Sequence, residues 1–308
     1  MPASAAVLAA YAQPMHPFVT PGRAFASIAL VFAAVLALAA CSPVGTLNAL
    51  SRSDTYRLTA DVAYGPLARQ KLDIYTPASA APPAGWPVVV FFYGGSWNSG
   101  DRADYRFVGE ALASRGVLIL VADYRLYPEV RYPSFLEDSA AALAWGLEHA
   151  KPIGGDPRRV FVMGHSAGGY NAAMLALDPR WLGAARHKPA ELAGWIGLAG
   201  PYEFLPLAPD SPARPVFFHP DYPPGTQPID YPTRDSLKAF LAAPVNDKVV
   251  SPQRSTLAMA AKLRGAGVPV ELKMYDGVSH SLLAGAFARP LRGLAPVLDD
   301  VTAWISAN

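Results

Sequence analysis

Gly164-His165-Ser166-Ala167-Gly168 places a serine in the pattern Gly-x-Ser-x-Gly. The residues before it, "RRVFVM", read as a strand, and "AGGYNAAMLAL" after it reads as a helix. A strand that turns this sharply into a helix needs small residues around the turn, and it pushes the serine hydroxyl out above the sheet edge. The helix start behind it offers unpaired N–H groups to a developing negative charge. The chemistry of such a serine is nucleophilic attack on a carbonyl. A hydroxyl is a weak nucleophile at neutral pH, so Ser166 needs a base within hydrogen-bond reach and a carboxylate to orient that base. In sites of this kind the partners follow along the chain in the order Ser, acid, His.

His280, in "YDGVSHSLL", stands where that order demands a histidine, just past a predicted strand. His187 comes too early and His219 lies in a proline-rich stretch. His165 is expected to point away from the elbow and to pack or bond locally. For the acid, Asp247 in "PVNDKVVSP" is preferred. It follows a predicted strand, the Val249–Val250 pair is expected to anchor its loop, and Pro252 opens the next helix where a missing N–H costs nothing. Asp276 is the rival, four residues before His280, and is expected to end the strand or turn the chain. Asp299 and Asp300 read as the solvated face of a closing helix.

A carbonyl under attack gathers charge on its oxygen and needs N–H donors there. Ala167 supplies one, and the loop in "FFYGGSWNSG" supplies the others, from Gly95 and Ser96. Backbone donors do not depend on their own side chains. Tyr93 is therefore expected to brace the loop. Trp97 either lines the acyl side of the site or packs. In "DYRLYPE", Arg125 and Glu129 are expected to pair and fix the loop after their strand.

The elements that must position these residues alternate along the chain. "YRLTADVAYG" and "RQKLDIYTPA" alternate apolar and polar residues like half-buried strands and suggest an antiparallel edge. "WPVVVFFYG", "VLILVADYRL", "RRVFVMGHS" and "GWIGLAG" are apolar runs, as in strands covered on both faces. "FVGEALASRG", "FLEDSAAALAWGLEHA", "TLAMAAKLRGAG" and "GLAPVLDDVTAWI" have helical spacing. Strands alternating with helices imply βαβ units and a mostly parallel sheet, an α/β protein. Between residues 201 and 234 the pattern fails in a stretch dense in proline and aromatics, which is either a lid or a surface excursion.

The combination of Tyr93-Gly-Gly-Ser-Trp97, "DYRLYPE", Gly164 to Gly168, Asp247 and His280 resembles an α/β-hydrolase. It is similar to the carboxylesterase branch that carries His-Gly-Gly-x-Trp motifs, near the hormone-sensitive-lipase-like and formamidase-like esterases. The resemblance runs from about Asp61 to Asn308. It implies the α/β-hydrolase fold, a mostly parallel eight-stranded sheet with helices on both faces. It also implies a serine carboxylesterase that hydrolyses short-chain, small-molecule esters through an acyl-enzyme, with no metal or organic cofactor. This chain departs from the pattern at Tyr93, where the family has His, and at "FLAAPVND", which lacks a common His-Gly. Two alternatives stay open: an arylformamidase-like amidase on the same triad, and a non-catalytic envelope lipoprotein that binds in the cleft.

The 308 residues carry a formal net charge of +2 with 16% charged residues and no basic run, which argues against a nucleic-acid partner. Arg23 followed by "AFASIALVFAAVLALAAC" reads as a secretory signal, shorter than the ~20 apolar residues of a comfortable span. Leu38-Ala39-Ala40-Cys41 resembles the lipobox of bacterial lipoproteins, and Cys41 is the only cysteine. The organisation expected is a signal peptide over 1–41, a tether over 42–56 and the hydrolase domain over 57–308. A lipid on Cys41 would anchor the chain to the membrane of the cell envelope, on the periplasmic side. The alternative is an uncleaved anchor helix.

Overall fold

The run Trp86–Phe92 contains no charged residue, and every one of its side chains is buried. A strand of that composition must lie in the middle of a covered sheet. The computed structural model, which describes residues 43–308, builds an eight-stranded sheet around it. The strands are β1 (Tyr56–Ala63), β2 (Lys71–Pro77), β3 (Trp86–Phe92), β4 (Leu118–Ala122), β5 (Gly155–His165), β6 (Gly194–Leu198), β7 (Ala239–Pro244) and β8 (Val270–Tyr275). Their spatial order is β1-β2-β4-β3-β5-β6-β7-β8. β1 runs antiparallel to β2 and β2 antiparallel to β4, and all other neighbours are parallel.

The helices are α1 (Pro43–Ala49), α2 (Arg106–Ala113), α3 (Ser134–His149), α4 (Ala167–Leu177), α5 (Pro179–Ala184), α6 (Ala258–Gly265), α7 (His280–Gly285) and α8 (Val297–Ala307). α2 packs with β2, β4 and α8, whereas α3 packs with β3, β5, α4 and α5. With α4, which covers β6, they leave β3, β4 and β6 buried along their whole length.

Register decides where the site falls. Phe92 at the end of β3 pairs with Ala122 at the end of β4 and with Gly164 near the end of β5. His165 pairs with Leu198, Leu198 with Ala242, and Pro244 with Tyr275. The loops after β3, β5, β7 and β8 therefore leave the sheet at one edge. They carry Gly95, Ser166, Asp247 and His280.

Three expectations need amending. Within the stretch read as a tether, residues 43–49 form α1, and Asn48 joins the domain: its side chain donates to the Ala103 carbonyl and accepts from the Phe107 amide. Arg125 does not pair with Glu129. It makes a two-pronged contact with the buried Asp138 on α3, at 2.8 and 2.9 Å. Arg forks match a carboxylate in this way, and Asp138 lies inside the domain where Glu129 is exposed. The Val249–Val250 pair does not anchor its loop through apolar side chains, since Val249 is 68% exposed. Residues 1–41, with Arg23, the proposed lipobox and Cys41, lie outside the described residues.

The proline-rich excursion carries no helix beyond one short turn at Pro228–Asp230, yet it is tied down. Tyr132 donates its amide to Val216, the Tyr170 hydroxyl donates to the Thr226 carbonyl, and the Tyr202 amide donates to Ser255. Phe217 is buried among Trp97, Tyr132, Phe135 and Tyr170. The excursion thus has its own aromatic core against the body of the domain.

Candidate active site

Ser166 sits at φ 56° and ψ −121°, a region that non-glycine residues avoid. Such strain persists only where the surroundings impose it, at about 1–3 kcal/mol. Here close packing imposes it. A Cβ on Gly164 would lie 2.0 Å from the Gly168 carbonyl oxygen, and one on Gly168 would lie 2.0 Å from that of Phe92. The two flanking glycines are required by this approach of backbone to backbone. The Ser166 amide donates to Leu198 at 2.9 Å, which pins the turn to β6.

Asp247 and His280 meet across the ends of β7 and β8. Nδ1 of His280 lies 2.7 Å from Oδ2 of Asp247. Oδ1 of the same carboxylate accepts the amides of Val249 and Val250 at 2.8 and 3.1 Å. The valine pair therefore holds Asp247 through its backbone. Burial alone would raise the Asp247 carboxyl, but the His280 contact and the two amides outweigh it and hold the group below its usual range. An ionised Asp247 accepts, so Nδ1 of His280 carries the proton and Nε2 is left as the acceptor. Nε2 is buried and has no partner among the described residues.

His165 couples the elbow to the histidine. Its Nε2 lies 2.9 Å from the main-chain oxygen of His280, and the two rings are 4.9 Å apart. Burial, with some repulsion from His280, pushes the His165 pKa down to about 3, so the ring is neutral and donates from Nε2.

The loop after β3 is strongly curled, with φ of 129° at Gly95, 51° at Ser96 and 59° at Trp97. Gly94 passes so close to the elbow that a Cβ there would stand 2.9 Å from Cβ of Ser166. The amides of Gly95 and Ser96 donate to no partner among the described residues. Ala167 is the first residue of α4, whose amide has no partner within the helix. Trp97 both packs and lines the cleft. Its Nε1 donates to Asn171 at 2.9 Å, and its ring meets Phe135, Tyr170, Phe204 and Phe217.

Tyr93 is fully buried. Its hydroxyl donates to Asp123 at 2.7 Å and accepts from Arg69 at 2.9 Å. The ring stacks on Tyr124 and Tyr105, and Gly100 leaves the space beside it. Arg69 also donates to the carbonyls of Tyr124 and Gly100. Arg102 bridges Asp123, Asp73 and Asp61. Both ends of the loop are gripped by this charged cluster. Sequence reasoning found Tyr93 but missed Arg69, Arg102 and Asp123. Asp123, a carboxylate closing an all-apolar strand, was a usable signal, whereas Arg69 offered none.

A cleft of about 510 Å³ opens over Ser166, lined also by Ser96, Trp97, Ala167, Phe204, Leu207 and Val249. Of the other histidines and acids, His187 bonds Glu191 and Glu148 at the surface, His219 lies in the excursion, and Asp276 caps its own turn through the Gly277 amide. Asp299 pairs with Arg115 and Asp300 with Tyr275. No cluster of metal-ligating side chains occurs among the described residues.

Comparison with known proteins gives a consistent picture. A family model described as BD-FAE matches residues 72–211. The probable isoprenylcysteine alpha-carbonyl methylesterase ICME of Oryza sativa subsp. japonica is 27% identical over 91% of this chain and 70% of that protein. Carboxylesterase NlhH of Mycobacterium tuberculosis is 45% identical over 32% of this chain and 31% of that protein. Among solved structures, a hyperthermophilic esterase from Pyrobaculum calidifontis superposes with a TM-score of 0.68 at 20% identity, over 86% of this chain and 90% of that one. A truncated carbohydrate esterase from gut microbiota superposes with a TM-score of 0.68 at 18% identity, over 83% and 98%. The chain has the α/β-hydrolase fold, and the sequences it is similar to include carboxylesterases and methylesterases. Its sheet order and serine elbow are those of the hydrolase fold, and the relatives and solved structures it matches are named as esterases.

Proposed function

We propose that this hydrolase cleaves short-chain carboxylic esters through an acyl-enzyme on Ser166. Ser166 Oγ attacks the ester carbonyl while Nε2 of His280 takes its proton. The amides of Gly95, Ser96 and Ala167 receive the oxyanion. The imidazolium formed on His280 is stabilised by Asp247 and then protonates the leaving alcohol. Water, activated by the same nitrogen, releases the acid. No step calls for a metal or an organic cofactor.

One observation carries the reading: Asp247 meets Nδ1 of His280 at 2.7 Å and leaves a buried, unpartnered Nε2 on a ring packed against His165 of the serine elbow. Nε2 and Ser166 make no hydrogen bond in the free protein, and catalytic contacts of this kind commonly tighten only with substrate bound. The test is a fluorophosphonate probe combined with p-nitrophenyl acetate. Wild type should label on Ser166 and show an acyl burst, and Ser166→Ala should do neither. Full activity in Ser166→Ala would end the proposal, and an unlabelled, inactive wild type would favour the non-catalytic binding protein.

We also propose that a lipid on Cys41 holds the enzyme to the cell envelope. The support is the apolar stretch ending in Leu38-Ala39-Ala40-Cys41. Incorporation of a palmitate analogue should vanish in Cys41→Ala.

A further inference from the structure

The outer wall of the cleft is built from residues 206–213, which have neither helix nor strand. Pro206, Leu207, Ala208 and Ala213 face the cleft from it. Chain without a hydrogen-bond ladder takes its position from whatever side chains satisfy its backbone groups. Two do so here. The Leu207 amide donates to the Tyr222 hydroxyl oxygen at 3.2 Å, and the Arg214 guanidinium donates to the Pro209 carbonyl at 2.8 Å.

Both anchors converge on His219. Its Nδ1 lies 2.6 Å from the Tyr222 hydroxyl oxygen, and Arg214 contacts its Nε2. A guanidinium only donates, so Nε2 must accept and Nδ1 must carry the proton. The phenol oxygen then accepts from His219 on one side and from the wall at Leu207 on the other. The His219 amide is itself tied to the Arg214 carbonyl at 3.0 Å. The side chain is half-buried, lies outside the cleft lining and takes no part in the reaction above.

We propose that His219 is a positioning residue for substrate size: by bridging Arg214 and Tyr222 it fixes the wall at Leu207 and so limits the length of ester the cleft admits. The inference rests on the esterase reading. Without the imidazole, both anchors lose their common support, the wall yields outward, and longer esters gain relative to acetate.

The experiment compares kcat and KM for p-nitrophenyl acetate and hexanoate in the full chain, with fluorophosphonate labelling of every protein as a separate readout. In His219→Ala the hexanoate-to-acetate ratio of kcat/KM should rise by about tenfold or more, the low end of what a single methylene commands in an apolar pocket. The change should fall in KM for hexanoate. His219→Gln, whose amide oxygen can accept from Arg214, should return most of the way to wild type. Tyr222→Phe keeps the ring and removes the shared oxygen, so it should shift the ratio in the same direction and covers the case of a poorly folded His219→Ala. An unchanged ratio in both His219→Ala and Tyr222→Phe overturns the inference, as does an equal loss of kcat on both esters. Failure of wild type to label would instead strike at the esterase reading.

Discussion

At the scale of single residues, the decisive fact is that the two oxygens of Asp247 have different tasks. One accepts two backbone amides and the other accepts His280. In Asp247→Asn the carbonyl oxygen should stay with the amides of Val249 and Val250, which can only donate. The new NH₂ group then faces Nδ1 of His280 and forces that nitrogen to accept. The proton moves to Nε2, where a base is needed. We expect kcat to fall by about 10³–10⁴ with little change in stability, as wrong-tautomer variants of such triads do. Steady-state kinetics with a urea melt on the same sample checks both halves. Tyr93→Phe makes the opposite kind of demand. It removes a buried hydroxyl between Asp123 and Arg69 while leaving the stacked ring, and should cost about 1–3 kcal/mol in a urea melt. Activity should fall with it, because the same contacts hold the loop of Gly95 and Ser96. The meeting of Asp247 with His280, at the sheet edge that also carries Ser166, was legible from spacing and chain order. The bracing role of Tyr93 was legible too, but its charged partners were not, because Arg69 and Arg102 reach Asp123 from distant parts of the chain.

At the scale of elements, the middle of the sheet was readable because β3, β4, β6 and β7 are uninterrupted apolar runs of the length a covered strand needs. The excursion was not, because proline-rich chain has no period that tells a docked segment from a loose one. What docks it is side-chain chemistry. Oε1 of Gln227 accepts the amides of both Phe204 and Leu205 at 2.9 Å, and Arg254 donates to the Leu205 carbonyl at 2.7 Å. These contacts set Phe204 against Trp97 and Tyr170 at the back of the cleft. Gln227→Leu leaves two amides without their acceptor in a half-buried place. We expect a loss of about 1–3 kcal/mol, and faster proteolytic cutting within residues 204–213 than in wild type. Equal cutting of the two proteins would mean that the aromatic packing alone holds the segment.

At the scale of the whole molecule, the elbow on β5 and the histidine after β8 are joined through one neutral buried ring, and this makes folding sensitive to acid. In the unfolded chain His165 titrates near 6.5, whereas in the folded protein burial pushes it down to about 3. Between those values the unfolded state binds the extra proton. Stability should therefore be full above about pH 6.5 and fall as the pH drops towards 3, with a slope approaching ~1.4 kcal/mol per pH unit from this group. Asp247, held below its usual range, acts in the same direction only as the pH falls through the carboxylate range. His187, raised on balance by Glu191 and Glu148 against its partial burial, acts in the opposite direction, adding stability that is lost as the pH rises through its folded pKa. A direct comparison with His165→Gln separates these contributions, since glutamine keeps a donor for the His280 carbonyl and does not titrate. The difference in urea midpoint between the two proteins should grow steadily in favour of the variant from pH 6.5 to pH 5. Parallel curves would show that the ring gains its proton in the folded state without penalty, and that the link between the elbow and His280 does not depend on its neutrality.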